Sequence, residues 1–452
     1  MYILKLGSTG PYVKLLQSTL SNLGYDVGQI DGIFGLKTQK AVLQYQKDNG
    51  LSSDGVVDQK TWKSLEKFIL GYTSYTIKKG DTLFNLANEF STTVNALLIA
   101  NPGINPLNLT IGQSIIIPFS SDIVLTNIDY TYDIMEMNIR ALKTRYPFIE
   151  TGIIGQSVLG KNLYYIKLGN GPTKVHYNAS HHSLEWITSV LLMKFIEDFS
   201  HSYANKATFL GYDISDIWEK SSIYIVPMVN PDGVNLVLNG LNPSNPYYSE
   251  LIKWNSTGLP FSNVWQANIK GIDLNRNYPA SWQLAKNQEP SFGVFGPSPT
   301  RYGGPYPLSE PETQSMVNFI SSHDFKLVIS YHSQGKLIFW LYNNITPPNA
   351  LEIGNTFSKL SGYTLEKNPP VSAYAGFKDW FIEVYNRPGY TIEVGLGKNP
   401  LPISQFDKIY QDNIEILLSA PAPLEGEWNR DLQANHDEIQ SEFGWTQSTT
   451  VL

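Results

Sequence analysis

Two histidines and an acid stand close together in KVHYNASHHSLEWIT, residues 174–188. An alternating run (Val175, Tyr177, Ala179) leads into them and an apolar segment follows, so the spacing predicts a strand feeding a helix. His182 falls where the strand ends and Glu185 in the first helical turn. An imidazole and a carboxylate can then point at one locus, the geometry that a borderline-soft cation such as zinc prefers. The pair alone also fits a surface histidine beside a helix-capping acid, so the rest of any metal site has to come from elsewhere. Three downstream stretches carry suitable chemistry: GIDLNRNY (271–278), VISYHSQG (328–335) and PGYTIEVG (388–395). In the first, Arg276 offers a planar fork that can hold a carboxylate bidentately and Asn275 a neutral donor, although Arg276 also suits a structural pair with Asp273. In the last, Glu393 sits among Tyr390, Ile392 and Val394, where desolvation raises a carboxyl pKa towards that of a general base.

Taken together, these stretches resemble the zinc carboxypeptidase family over about residues 125–420. The resemblance extends to Asn230-Pro231-Asp232-Gly233, to GGPYPLSEPET (303–313), and to Asp379-Trp380 placed fourteen residues before Glu393. It implies His182, Glu185 and His332 as ligands of one zinc ion, Asn275 and Arg276 as the clamp for a substrate carboxylate, Glu393 as the general base, and Tyr374 as a mobile residue closing over the substrate. Three protein ligands leave zinc an open position for water. Two positions depart from the family pattern. Gln266 stands where many members carry an arginine that polarises the scissile carbonyl, with Lys270 or Arg301 as candidate substitutes. Lys378 occupies the position that selects the substrate side chain, and a lysine there favours a substrate bearing an extra carboxylate, such as diaminopimelate.

These residues need a scaffold that brings them together. Residues 125–420 alternate strand-like and helix-like stretches, which predicts an α/β layer structure. The resemblance makes it a mixed, eight-stranded-type sheet with flanking helices. Strands are expected at Tyr164–Leu168, Lys174–Ala179, Ser222–Pro227, Phe325–Ser330 and Tyr390–Glu393, and helices at Leu184–Phe199, Glu310–Ser322 and Ser404–Leu418. Ser309 with Glu312 reads as a capping box ahead of the second helix. His332 and Glu393 then fall at strand ends, where open α/β sheets place ligands.

The 452 residues exceed one core, and a 42% hydrophobic content with 16% charged residues is that of folded units rather than a disordered chain. A net charge of -7 argues against nucleic acid as a non-specific partner. With no cysteine present, disulfides and thiolate metal sites are excluded. Neither a signal-peptide pattern nor an apolar window long enough for a membrane span is visible.

Residues 1–70 are expected to form three short helices, with Val13, Leu16, Leu20 and Leu23 on the first, Ala41, Val42 and Tyr45 on the second, and Trp62 and Leu65 on the third. They resemble the three-helix peptidoglycan-binding domain. Residues 74–119 (YTIKKGDTLFNLANEF…LTIGQSIIIP) resemble a LysM domain of βααβ form, with strands at Tyr75–Ile77 and Ser114–Ile117. In that family sugar polymers are held between two loops, here Gly80, Asp81, Thr82 and Leu83, and Asn105, Pro106, Leu107, Asn108 and Leu109. The connectors at Gly71–Ser74 and Phe119–Ile123 are too short for flexible tethers, so the units should pack on one another. Residues 421–452 form a polar tail without an assigned role. The whole resembles bacterial γ-D-glutamyl-diaminopimelate peptidases, acting on peptidoglycan glycan strands and stem peptides. The chain is expected to be made in the cytoplasm or a spore compartment, as in sporulation, and to act on the wall. A conventional zinc carboxypeptidase cutting ordinary peptides, or a wall-binding protein without catalysis, are the alternatives.

Overall fold

The computed structural model describes residues 3–367 and 374–422. Strands β1 (Tyr72–Thr76) and β2 (Ser114–Pro118) form a small antiparallel ribbon. Strands β3 (Glu150–Gln156), β4 (Asn162–Leu168), β5 (Thr173–Ala179), β6 (Ser221–Val226), β7 (Phe325–His332), β8 (Leu337–Phe339), β9 (Thr364–Glu366) and β10 (Gly389–Glu393) build an eight-stranded sheet in the order β9-β8-β10-β7-β5-β6-β4-β3. The four central strands, β10, β7, β5 and β6, run parallel, while β8 and β4 join them antiparallel. Parallel strands are covered on both faces, and every residue of β6 is accordingly buried.

The period-two alternation of β5 defines the two faces. Val175, Tyr177 and Ala179 lie in the core on one side, beneath the helices Ile187–Ala204 and Phe406–Ser419. There the Tyr177 hydroxyl donates to the Leu417 carbonyl at 2.9 Å. His176 points to the other side, among the rings of Phe319, Phe325 and Phe377 at 5.4–6.0 Å. That face is closed by the helices Pro311–Ser321 and Phe377–Tyr385. Three layers result, with the carboxyl ends of β5, β7 and β10 meeting along one edge.

Neither ring nitrogen of His176 has a hydrogen-bond partner. Burial, with the nearby His323, lowers its pKa from the ordinary value of 6.5 to about 3. The folded chain therefore keeps this imidazole neutral while the unfolded chain protonates it, so stability is full above about pH 6.5 and declines as pH falls towards 3. Urea unfolding should show the parent losing up to about 1.4 kcal/mol per pH unit more than His176→Leu across that window. Parallel profiles for the two proteins would contradict this.

The N-terminal helices run Pro11–Asn22, Leu36–Asp48 and Gln59–Leu70. Two buried glutamines fix the turns between them. Gln17 accepts from the Gly32 amide and Gln46 from the Gly55 amide, both at 2.9 Å. The third helix ends at Gly71, whose φ of 68° and proximity to Arg145 require glycine, since a Cβ would lie 2.2 Å from an Arg145 nitrogen. No flexible linker separates the units. Tyr12 donates to Asp133 at 2.6 Å, Lys14 pairs with Asp129 at 2.8 Å, and Arg145 donates to the carbonyls of Gly71 and Ser121 at 2.9 Å. The second unit touches the third through Asn95 and Asn205 at 3.0 Å.

Several expectations need correction. Strand β1 begins at Tyr72, because its register runs from Thr76 opposite Ser114 to Tyr72 opposite Pro118. The capping box at Ser309 does not form. The N-cap is Glu310, and the Glu312 carboxylate turns away to accept from the Val158 amide at 3.2 Å. Leu83 cannot line a sugar groove, being 3% exposed in the core with Leu86 and Ala87, the face that i, i+3, i+4 spacing creates. Of the other loop residues, Asp81 is fixed by the Lys78 amide at 2.7 Å and Thr82 caps the following helix through the Asn85 amide. Leu107 is 95% exposed. Residues 368–373, which include the loop residues Pro370–Ala373, and the tail from Pro423 onward lie outside the described residues. Among the described residues no helix is long and apolar enough to cross a membrane.

Candidate active site

The convergence follows from the sheet. After β5 the chain turns through His182 into a short 3-10 turn, Ser183–Glu185. His332 is the last residue of β7, and Glu393, the last of β10, pairs directly opposite it. His182, Glu185 and His332 each offer one ligand atom, all within 4.8 Å of one another. Glu185 bridges the imidazoles, with Oε1 2.9 Å from His182 Nδ1 and Oε2 2.9 Å from His332 Nδ1. The two Nδ1 atoms stand 3.3 Å apart. Their opposite nitrogens are engaged, His182 Nε2 by Asp273 Oδ1 at 3.1 Å and His332 Nε2 by Ser330 Oγ at 3.3 Å. Donation from Nε2 to Asp273 leaves the His182 Nδ1 lone pair facing the shared locus, the outer-shell arrangement usual for metal-binding histidines. Two imidazole nitrogens and a carboxylate are a donor set that fits zinc.

The electrostatics agree. Burial would raise the Glu185 pKa, but His182 and His332 outweigh it and hold the carboxyl at about 2. Asp273 is likewise held well below the usual range, the His182 interaction overcoming desolvation. Glu393 moves the other way, to about 8, through desolvation and the neighbouring Glu185 carboxylate. One acid is thus kept ionised and the other made basic, each acted on by the same His182.

His182, Asp273 and Glu393 line a cavity of about 210 Å³ whose wall also includes Asn275, Arg276, Arg301 and Lys378. Asp273 N-caps the 3-10 turn Leu274–Arg276 through the Asn275 amide, and its Oδ2 lies 3.9 Å from Arg276 Nε. Asn275 Oδ1 accepts from the Phe377 amide at 3.0 Å, and the residue lines the cavity. Lys378 is buried rather than solvated. It pairs with Asp379 at 2.6 Å and donates to the Leu341 carbonyl at 2.8 Å. Tyr374 is partly buried against the aromatic cluster of Phe377 and Trp380 and is not among the residues lining the cavity. Of the two candidate substitutes for the missing arginine, Lys270 is engaged by Glu310 at 3.0 Å and lies outside the cavity lining, whereas Arg301 lies within it. Gln266 is held by the Thr300 hydroxyl at 2.8 Å. The sequence signal for Asp273 as the partner of His182 was its place just before a turn, a capping position. Ser330 gave no signal, because a serine inside an apolar strand reads as filler.

An α/β layer protein with two histidines, a bridging acid and a raised glutamate at one sheet edge has the makings of a metal-dependent hydrolase. The profile described as "Zinc carboxypeptidase" matches residues 135–416, and the chain belongs to that family. It is a zinc metallopeptidase. Profiles for a putative peptidoglycan binding domain and a LysM domain match residues 9–65 and 75–118. Among characterised relatives, gamma-D-glutamyl-L-diamino acid endopeptidase 1 of Lysinibacillus sphaericus is 42% identical over 291 residues, 64% of this chain and 72% of the relative. Carboxypeptidase A1 of Bos taurus is 26% identical over 224 residues, 48% of this chain and 47% of the relative. Bovine thrombin-activatable fibrinolysis inhibitor, solved with a tick carboxypeptidase inhibitor, shares the fold with a TM-score of 0.50 at 20% identity, over 66% of this chain and 98% of its own.

Proposed function

We propose that the protein hydrolyses the bond between the side-chain carboxyl of D-glutamate and the L-centre amine of diaminopimelate in peptidoglycan stem peptides. The observation that carries this reading is the buried Lys378–Asp379 pair on the wall of the catalytic cavity. The far end of diaminopimelate bears an ammonium and a carboxylate together, and a paired cation and anion complement both. An ordinary aspartate or glutamate side chain would satisfy Lys378 while facing Asp379 with like charge. The similarity to an endopeptidase named for γ-D-glutamyl-L-diamino acid bonds supports the same substrate.

His182, Glu185 and His332 would hold the zinc, which when bound supplies Lewis acidity and makes water nucleophilic near neutral pH. Glu393 accepts a proton from the attacking water at its carboxylate as the new C–O bond forms, then returns it to the L-centre amine, which departs as the C–N bond breaks. Arg276 and the Asn275 amide grip the free carboxylate of the leaving diamino acid, fixing the scissile bond against Glu393. Tyr374 would complete the enclosure by closing over the bound residue. The modular reading assigns 1–70 and 74–119 to wall attachment, with the exposed LysM loop tips at Gly80 and Asn105–Asn108 contacting glycan strands. Residues 125–420 carry the catalysis, and the protein acts on the cell wall after synthesis in the cytoplasm or a spore compartment.

Incubating zinc-loaded protein with L-Ala-γ-D-Glu-diaminopimelate should release diaminopimelate. Intact tripeptide alongside cleavage of ordinary peptides ending in Asp or Glu would favour a conventional carboxypeptidase instead. Lys378→Met should lower kcat/KM for the tripeptide relative to a peptide ending in alanine by about tenfold or more, the scale of one charge-assisted hydrogen bond. An unchanged ratio would remove Lys378 from the substrate site.

A further inference from the structure

Arg301 is in an unusual state for an arginine. Its φ of 69° is in the left-handed region that bulky residues avoid. The conformation is held by donation of its amide to Asp273 Oδ2 at 3.0 Å. Its guanidinium lies 4.1 Å from the centre of the Phe292 ring, and that of Arg276 lies 5.9 Å from the same ring. Burial and the Arg276 charge both lower the Arg301 pKa. The other cations around the site have carboxylate neighbours: Lys378 has Asp379, Lys270 has Glu310, and Arg276 approaches Asp273. Among the described residues no side-chain ion pair is recorded for Arg301. Two guanidiniums thus share one ring at the cavity wall, and Asp273, the carboxylate acting on Arg301, is already engaged by His182 and approached by Arg276. Strained, like-charged arrangements of this kind persist where a ligand completes them.

We propose that Arg301 is a second carboxylate-binding residue, closing with Arg276 on the free carboxylate of the leaving amino acid. The proposal rests on the reading that this enzyme releases a residue with a free carboxylate. It gives Arg301 a task in binding rather than at the scissile carbonyl, because its shared ring places it beside Arg276.

The test compares parent and Arg301→Gln on L-Ala-γ-D-Glu-diaminopimelate and on the analogue in which the L-centre carboxyl is an amide. For the free acid, KM should rise roughly 10- to 100-fold with kcat little changed. The amide should be handled alike by both proteins, and Arg301→Lys should recover part of the loss. An equal penalty on acid and amide, or a fall confined to kcat, would overturn the proposal. If the parent leaves the tripeptide intact, the substrate reading alone fails, and thermal unfolding then decides the clamp. N-acetyl-L-alanine should raise the Tm of the zinc-loaded parent and not of Arg301→Gln, and N-acetyl-L-alaninamide should raise neither. Equal shifts in the two proteins, zero included, would overturn it.

Discussion

Glu393→Gln should lower kcat on a susceptible peptide by about 10²- to 10⁴-fold, the usual contribution of a positioned acid–base group, while zinc content and binding to cell-wall polymer stay at parental levels. The expectation follows from where the side chain sits. Glu393 ends β10 directly across from His332, lines the cavity, and has its pKa raised to about 8 by burial and by the Glu185 carboxylate. An amide of the same shape fills that place but neither takes nor returns a proton. Because the glutamine is uncharged, it also removes the repulsion from Glu185, so thermal stability should hold or rise. Rates that match the parent would mean that another group moves the proton. A loss of activity accompanied by loss of zinc would mean that Glu393 supports the metal rather than the chemistry.

Removing the metal should have an effect of similar size on activity and a second one on stability. Dialysis against a chelator should abolish hydrolysis, and zinc should restore it. A ligand that binds only the folded chain stabilises it by roughly 4 kcal/mol at a thousandfold excess over its Kd, so the unfolding midpoint should climb with zinc concentration. His332→Ala removes one donor from the trio and should flatten that dependence. Asp273→Asn leaves the three ligands in place but loosens the His182 ring, and a change of this kind costs about 10- to 100-fold in metal affinity. Graded behaviour across the two variants would separate a ligand from its support. A parental zinc dependence in His332→Ala would remove His332 from the site.

The legibility of this site in the sequence was uneven for physical reasons. His182 and Glu185 are three residues apart, so local spacing alone could bring them together. His332 and Glu393 came from the resemblance to the zinc carboxypeptidase family, and reading each as a strand end in an α/β sheet agreed with it, since such ends share one edge. Their direct pairing across β7 and β10 depended on register, which is set by long-range packing. Strands β8 and β9, three residues each, are too short for a period to register. Lys270 and Arg301 had equal standing as substitutes for the arginine missing at Gln266. Only the fold showed that one is bound by Glu310 and the other faces the cavity. Lys378 read equally well as a surface residue, because burial of a lysine depends on a partner, here Asp379, and on the carbonyl of Leu341, which lies 37 residues away in sequence. The capping box at Ser309 failed because Glu312 is drawn into contacts with β3's neighbouring loop and Asn268, a tertiary demand that outweighs a local motif.

The most direct test of the account is an anomalous-difference map at the zinc edge from crystals of the zinc-loaded protein. The account predicts one strong peak per chain, about 2.0–2.2 Å from His182 Nδ1, a Glu185 carboxylate oxygen and His332 Nδ1, with Glu393 beside it and outside bonding distance. No peak at that position, or a peak from which His332 Nδ1 turns away, would contradict it.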